Sequence, residues 1–170
     1  MLCVIAKLDD AATEKLEALR QAALPGGETA KRLYGHITVA SYLGADELSF
    51  IRACKALLTG FPAFAVSYVK LEVLEESSVL VASPEKSGAL LSLHRRIAER
   101  WPDSLDKWTA TERWHPHTTL LHSPTADLQA LRRKMEAAFS PFSARVGRIE
   151  FSRVTDDGYE ILDRAELSPP

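Results

Sequence analysis

The sequence has only two cysteines in 170 residues, Cys3 and Cys54, and both lie among apolar residues. Neither belongs to a C-x-x-C pair, the spacing typical of zinc and redox sites, so we expect two buried free thiols in a reducing compartment. No apolar run approaches the roughly 20 residues that a membrane-spanning helix needs. The apolar segment at residues 2–8 ends at two aspartates rather than at a cleavage site. We therefore expect no anchor, no export and a cytoplasmic location.

An excess of basic charge is also missing. The chain has 21 lysines and arginines against 23 aspartates and glutamates, which gives a net charge of −2. Proteins that coat long nucleic acids need a basic surface that displaces counterions, so this balance argues against long DNA or RNA as the main partner. A small phosphorylated ligand, held by a few well-placed groups, remains compatible with it.

What is present is the composition of a soluble globular domain, with 46% hydrophobic and 26% charged residues. We expect residues 1–170 to form a single domain. Residues 101–113 are predicted to form a loop, and the chain is predicted to be extended from the last helix to about Leu167. Hydrophobic periodicity predicts strands at 2–8, in the HITVASYLG segment, at 63–74, 78–83 and 114–122, and helices near 11–23, 46–58, 87–100 and 125–139. Ser123 and Pro124 are predicted to begin the last helix.

The chain contains an internal repeat with an offset of 81 residues. Strand, helix, H-x-T strand and helix occur twice in the same order. Two copies favour a pair of pseudo-symmetric lobes over a solenoid, which needs about three or more repeats. The offset pairs His36 with His117, Thr38 with Thr119, Val39 with Leu120, Asp46 with Asp127, Phe50 with Leu131, Cys54 with Met135 and Leu58 with Phe139.

The paired H-x-T motifs have the side chains that phosphodiester chemistry requires. Residues two apart in a strand share a face, so His36 projects with Thr38 and His117 with Thr119. If the lobes face each other, one imidazole can accept a proton while the other donates one, since imidazole titrates near neutrality. The two hydroxyls can hydrogen-bond the anion on which negative charge develops. This set is suited to cleavage of a phosphodiester by water or by a ribose hydroxyl.

The segments HITV (residues 36–39) and PHTTL (residues 116–120), with YLG at residues 42–44, resemble the paired signatures of the 2H phosphoesterase superfamily. That superfamily includes bacterial 2′-5′ RNA ligases and RNA 2′,3′-cyclic phosphodiesterases. The resemblance implies a bilobal α+β fold, in which two antiparallel sheets flanked by helices surround a central cleft. It also implies catalysis without a metal or other cofactor.

By the same resemblance, His117 is the general base that activates water and His36 is the general acid that protonates the leaving ribose oxygen. Thr38 and Thr119 hold the phosphate. The product of opening a 2′,3′-cyclic phosphate is then a 2′-phosphate. The implied partner is a small nucleotide or an RNA 3′ end with a cyclic phosphate, bound by a monomer without membrane contact.

Two departures from the family pattern bear on the substrate. HITVASYLG has one more residue before Tyr42 than many relatives have, and His122 stands where many relatives have an arginine. Ligation of 2′-5′ RNA uses the same site in reverse and remains an alternative, as does a module that binds a nucleotide without turning it over. His115 and His117 also have the spacing of two zinc ligands on one strand face, but that interpretation leaves HITV unexplained.

Other candidate substrate contacts come from neighbouring aromatic and histidine residues. Tyr34 and Tyr42 share the cleft face with His36 if the strand is regular, although the extra residue can form a bulge that redirects Tyr42. We expect His94 to pack at the edge of the apolar stripe of its helix and His115 to lie at the cleft rim or on the surface. The remaining candidates are Trp114 and Trp108 beside the 101–113 loop, His122, and Lys7 and Arg145 for phosphate.

Overall fold

The computed structural model describes residues 1–24, 31–155 and 158–169. Two short 3₁₀ turns, Glu75–Ser77 and Pro102–Ser104, accompany the helices and strands. The elements are β1 (Leu2–Leu8), α1 (Asp10–Ala23), β2 (His36–Tyr42), α2 (Glu47–Leu58), β3 (Phe64–Leu74), β4 (Val79–Pro84), α3 (Gly88–Ala98), β5 (Thr118–His122), α4 (Leu128–Glu136), β6 (Phe142–Thr155) and β7 (Gly158–Glu166).

The predicted elements are present, with two corrections near the second motif. The strand predicted at 114–122 begins only at Thr118, because the preceding segment leaves the sheet to contact the other half of the molecule. The last helix begins after Asp127, whose carboxylate accepts a hydrogen bond from the Ala130 amide. The predicted start at Ser123 and Pro124 is wrong, since Ser123 instead caps a turn by accepting from the Ala126 amide.

The strands of the described chain form one seven-stranded antiparallel sheet in the order β2-β1-β6-β3-β4-β5, with β7 also paired to β6. Strand β6 is long enough to belong to both halves. Its residues 142–146 pair with β3, and its residues 148–155 pair with β7. The α+β fold class is confirmed, with one correction. The two predicted sheets are the halves of a single sheet, joined through β6.

The strand order has an internal two-fold symmetry. Exchanging β1 with β4, β2 with β5 and β3 with β6 gives the same order read from the opposite edge of the sheet. Each H-x-T strand is therefore an edge strand beside the first strand of its own unit. A duplicated strand-helix-strand-helix unit accounts for this order. The strand that follows each unit pairs with the first strand of the other unit, since β3 pairs with β4 and β6 pairs with β1.

The helices and the site use opposite faces of the sheet. Alternate residues of β1, namely Leu2, Val4, Ala6 and Leu8, belong to the main hydrophobic core with helix residues such as Leu16 and Leu90. Lys7 has the opposite parity and lies beside His36 in the β1–β2 register. Both cysteines are buried free thiols, as predicted, and burial raises the pKa of Cys3 to about 11 and of Cys54 to about 12.

Candidate active site

The two motif histidines occupy equivalent positions at the start of the two edge strands. His36 is the first residue of β2, and His117 immediately precedes β5. His36 and Thr38 are half-buried while Ile37 and Val39 are fully buried, so the polar and apolar residues of this motif face opposite ways. His117 and Thr119 are likewise half-buried. The predicted alternation of the H-x-T residues is therefore confirmed in both motifs.

Both motifs end in a β-bulge at the same place. Val4 pairs with Ala40 and Ile5 with Thr38, which leaves Val39 without a partner on β1. In β5 the residue left without a partner on β4 is Leu120, the equivalent of Val39. A bulge bends the strand and changes which face the following residues occupy. The change of direction therefore comes directly after each threonine.

Tyr42 shows the consequence of the first bulge. Its side chain is completely buried, and its hydroxyl donates to the Ile97 carbonyl at 2.9 Å. The ring packs against Phe50 with 4.6 Å between centroids. The prediction of Tyr42 as a substrate contact is therefore wrong, because it assumed a regular strand.

Each motif histidine is held by a backbone carbonyl two residues before it. Nδ1 of His36 lies 2.7 Å from the Tyr34 oxygen, and Nδ1 of His117 lies 2.7 Å from the His115 oxygen. A carbonyl can only accept, so this network assigns the hydrogen to Nδ1 in the neutral rings. Nε2 then has a lone pair and is the atom of each ring that can exchange a proton with a ligand.

Burial lowers the pKa of both motif histidines below the ordinary value of 6.5. For His36 the positive charges of His117 and Lys7 act in the same direction, while the Tyr34 carbonyl and Glu150 oppose them. For His117 the charge of His115 adds to burial, while the His115 carbonyl and Glu72 oppose it. Both rings are therefore neutral near pH 7 without a ligand. An anionic phosphate between them would favour protonation of one ring.

Three hydrogen bonds to the carbonyls of β2 join the first motif to the second half of the chain. Thr118 Oγ1 donates to the His36 carbonyl at 2.8 Å, and Trp114 Nε1 donates to the Thr38 carbonyl at 2.9 Å. Nδ1 of His94 lies 2.8 Å from the Val39 carbonyl. These bonds satisfy polar groups that the edge strand would otherwise leave unpaired, and they bring the two motifs together.

Trp114 and His94 are thus structural residues of this junction. Their rings stack with centroids 3.9 Å apart, and both side chains are almost fully buried. The prediction of Trp114 as a substrate contact is wrong, because its side chain is buried and its indole nitrogen donates to the Thr38 carbonyl of β2. His94 is buried rather than at the edge of the apolar stripe of its helix, and Nε2 of its ring has no hydrogen-bond partner among the described residues.

A cavity of about 500 Å³ opens beside the second motif. His117, Thr119 and His115 line it, so the predicted rim position of His115 agrees with the structure. Trp108, which is 48% exposed, and Arg113 contribute an aromatic face and a positive charge from the 101–113 loop. Residues of the β3–β4 hairpin complete the wall, both apolar and polar, namely Val73, Leu74, Glu75, Glu76, Ser77 and Val79. The cavity is large enough for a small ligand next to the proton-exchanging nitrogen of His117.

The first motif lies against aromatic rings instead. Tyr34 and Tyr159 are 6.0 and 5.5 Å from the His36 ring, and the two tyrosines are 5.5 Å apart. Lys7 Nζ lies 4.6 Å from the centre of the Tyr34 ring and donates to the Gly35 carbonyl. Tyr34 therefore adjoins the site as predicted, whereas Tyr159 was not predicted, since it reaches His36 only through the β6–β7 hairpin.

Gly35 has a steric role next to His36. A Cβ atom at this position would collide with Oγ1 of Thr13 on α1. The amide of Leu8 also donates to the Gly35 carbonyl at 3.0 Å. The close approach of the chain to α1 requires glycine and fixes where β2 begins.

Two of the remaining candidates lie away from the histidine cavity. His122 is exposed at the end of β5 and does not line the cavity. Arg145 is exposed and lines, with Lys7 and Arg148, a separate depression of about 450 Å³. Within residues 1–24, 31–155 and 158–169, no group of three or more histidine, cysteine or acidic side chains is placed to hold a metal ion. In the same ranges, no helix is long and apolar enough to cross a membrane.

Comparison with known proteins places this geometry in a family. Residues 8–158 match the sequence model of the 2′-5′ RNA ligase superfamily. The chain belongs to that superfamily. The resemblance drawn from the H-x-T motifs is thus confirmed. A search of curated proteins found no match.

Several solved structures share the whole fold. A crystal structure described as a phosphoesterase superposes with a TM-score of 0.69 at 18% identity, covering 98% of this chain and 97% of that one. Apo LigT of E. coli gives 0.63 at 19% identity, with 98% and 96% covered. A protein of Thermus thermophilus gives 0.66 at 15% identity, with 99% and 98% covered. At these identities the likeness establishes the fold.

Proposed function

We propose that the protein is a metal-independent phosphodiesterase that hydrolyses the 2′,3′-cyclic phosphate of a nucleoside or an RNA 3′ end. The observation that carries this proposal is the equivalent geometry of two histidines. In each, a carbonyl holds Nδ1 and leaves Nε2 free, with a threonine on the same strand face. One such ring can take a proton while the other gives one, which cleavage of a phosphodiester requires.

In the proposed reaction, Nε2 of His117 takes a proton from a water molecule whose oxygen attacks the phosphorus. The bond from phosphorus to the ribose 3′ oxygen breaks, and Nε2 of protonated His36 donates its proton to that oxygen. The product is a 2′-phosphate. Thr38 and Thr119 donate hydrogen bonds to the non-bridging oxygens, on which negative charge grows. The unliganded rings are both neutral, so His36 acquires its proton when the anionic substrate binds.

Ligands of a relative support a nucleotide substrate. Crystal structures of E. coli LigT complexed with phosphate, 3′-AMP and ATP are among those with the same fold. The cavity of about 500 Å³ beside His117 offers room for part of such a ligand. The net charge of −2 favours a small nucleotide or a short RNA end over a long nucleic acid. We expect a monomer that acts in the cytoplasm.

The test is product analysis by phosphorus NMR and chromatography. EDTA-treated protein is incubated with nucleoside 2′,3′-cyclic phosphates, with short RNAs that end in a cyclic phosphate and with ADP-ribose cyclic phosphate. His36→Ala and His117→Ala are compared with His122→Ala, a matched control at an exposed histidine outside the cavity. We expect a 2′-phosphate from the wild type and the control, and formation of it at a rate at least about 100-fold lower in the other two variants.

Other outcomes identify the alternatives. Joining of a 5′-hydroxyl RNA to the cyclic phosphate under the same conditions would reveal 2′-5′ ligation, in which that hydroxyl takes the place of water. Tight nucleotide binding without turnover, retained in both alanine variants, would reveal a binding module. A 3′-phosphate product would contradict the proposed direction of bond cleavage.

A further inference from the structure

Each motif histidine is connected to a glutamate through the residue that holds its Nδ1. In the first half, the Tyr34 hydroxyl lies 2.5 Å from Glu150 Oε2. In the second half, Nε2 of His115 lies 2.9 Å from Glu72 Oε2. The same two residues, Tyr34 and His115, supply the carbonyls that accept from the motif histidines. The side chain of each of these two residues thus bonds a glutamate, and its backbone carbonyl bonds a motif histidine.

The two glutamates occupy equivalent places in the sheet. Glu150 lies on β6 opposite Ile5, and Glu72 lies on β3 opposite Val81. Ile5 and Val81 are also the residues of β1 and β4 that lie directly beside the two bulges. The four-residue segments around the glutamates, RIEF at 148–151 and KLEV at 70–73, share a basic residue two positions before the glutamate.

In both segments the basic residue contacts its glutamate. Lys70 Nζ lies 2.6 Å from Glu72 Oε1, and a nitrogen of Arg148 lies 3.8 Å from Glu150 Oε1. The hydrogen bonds from Lys70 and Ser83, with the charge of His115, hold the pKa of Glu72 below its ordinary value although burial opposes this. Glu72 is therefore an ionised acceptor for the imidazole of His115.

Tyr34 and His115 need such an anchor because neither lies within a strand. Strand β2 begins at His36 and β5 at Thr118, so no ladder hydrogen bond fixes the peptide planes that carry the two accepting carbonyls. The side-chain bonds to the glutamates hold these residues in place instead. A displacement of a reacting group by about 1 Å can lower a rate by as much as 100-fold.

We propose that Glu72 with His115, and Glu150 with Tyr34, are two positioning pairs that aim Nε2 of His117 and of His36 at the phosphate. The kinetic part of this inference rests on the proposed phosphodiesterase function. His115 contacts Glu72 on β3, Ser83 on β4 and the ring of His117. The other carboxylate oxygen of Glu72, Oε1, forms an ion pair with Lys70. The two halves thus share a hydrogen bond to a glutamate but differ in the residue that makes it, because an imidazole such as that of His115 can take a positive charge and the phenol of Tyr34 cannot.

The test exchanges the anchor residue of one half for that of the other. In His115→Tyr the new hydroxyl can donate to Glu72 as Tyr34 donates to Glu150, whereas His115→Phe has a ring of similar size without a donor. We expect His115→Phe to lower kcat up to about 100-fold with KM nearly unchanged, and His115→Tyr to restore kcat. Because the charge of His115 lowers the pKa of His117, the limb of the pH profile that His117 sets should move to higher pH in both variants.

A second readout does not depend on turnover. Imidazole ¹⁵N NMR reports which nitrogen of His117 has the hydrogen, and we expect the Nδ1–H form in the wild type and in His115→Tyr but a mixture in His115→Phe and Glu72→Gln. Circular dichroism checks that each variant is folded. Equal kinetics and an unchanged tautomer in the Phe and Tyr variants would overturn the positioning role. If the wild type turns over no phosphodiester, the proposed function fails while the NMR comparison still decides this inference.

Discussion

The two halves of the molecule hold their histidines in the same way but surround them differently. In both, Nδ1 is bonded to a carbonyl two residues earlier, and a bulge follows the threonine. In the half that contains His36, two tyrosines lie against the histidine ring. In the half that contains His117, the histidine lines a cavity of about 500 Å³. The geometry shared by the halves is what proton transfer needs. The differences lie where a substrate would be recognised.

The largest effect is expected from removing either histidine. His36→Ala and His117→Ala should each lower kcat/KM about 10²- to 10⁴-fold, and the double variant should be little worse because the two act as a unit. A 4-nitrophenyl phosphodiester separates their roles, since nitrophenolate leaves without a proton. His36→Ala should regain turnover on this substrate and His117→Ala should not. Recovery in His117→Ala instead would reverse the assignment of acid and base.

The threonines test whether both halves hold the phosphate. Thr38→Val and Thr119→Val each remove a hydrogen bond to a charged group, which stabilises a bound state by about 1.5–3 kcal/mol, so kcat/KM should fall about 10- to 100-fold in each. Thr→Ser at the same positions keeps the hydroxyl and serves as the control. A loss confined to one threonine would mean that only one half contacts the phosphate.

Thr118 tests the junction between the halves. Its equivalent in the first motif, Ile37, is buried in the core, whereas Thr118 bonds the His36 carbonyl and lies 2.6 Å from the Tyr68 hydroxyl. Thr118→Val leaves the buried Tyr68 hydroxyl and the part-buried His36 carbonyl without this partner. The free energy of unfolding in urea should therefore fall by about 1–3 kcal/mol. The exposed Thr125→Val is the matched control. An unchanged free energy of unfolding would show that the junction contributes no stability.

The smallest effect is expected where the halves are alike and exposed. Asp46 and Asp127, equivalent in the repeat, cap α2 and α4 by accepting from the amides of Ser49 and Ala130. Asp46→Ala and Asp127→Ala should each lower Tm slightly and by similar amounts, with kcat unchanged. A loss of activity in either variant would show that its helix also supports the site.

The site residues that could be predicted were those fixed by local pattern. Strand parity places His36 with Thr38 and His117 with Thr119, and the repeat makes the four residues one constellation. Parity failed at Tyr42, because a bulge reverses it. Trp114 was predicted from its place beside the 101–113 loop, and that prediction failed because the chain before β5 leaves the sheet. Both side chains bond the backbone of another part of the chain, Tyr42 at the Ile97 carbonyl and Trp114 at the Thr38 carbonyl, and no local pattern contains these contacts.

The residues that the motifs did not reveal come from distant strands. Glu150 is 116 residues from Tyr34, and Glu72 is 43 residues from His115. A signal was nevertheless present, because RIEF and KLEV each place one acidic residue between apolar residues in a strand. A buried carboxylate requires a partner. The identity of that partner depended on the sheet order, which no local pattern contains.

The pH dependence of kcat/KM for a nucleoside 2′,3′-cyclic phosphate tests the two-histidine site most directly. Activity must rise with pH as the base loses its proton and fall as the acid loses its own. Both histidine pKa values lie below 6.5 in the free protein. A bell-shaped profile with both limbs on the acid side of about 6.5, unaffected by EDTA, is the predicted result. A rate that rises steadily to alkaline pH and disappears with chelators would contradict it.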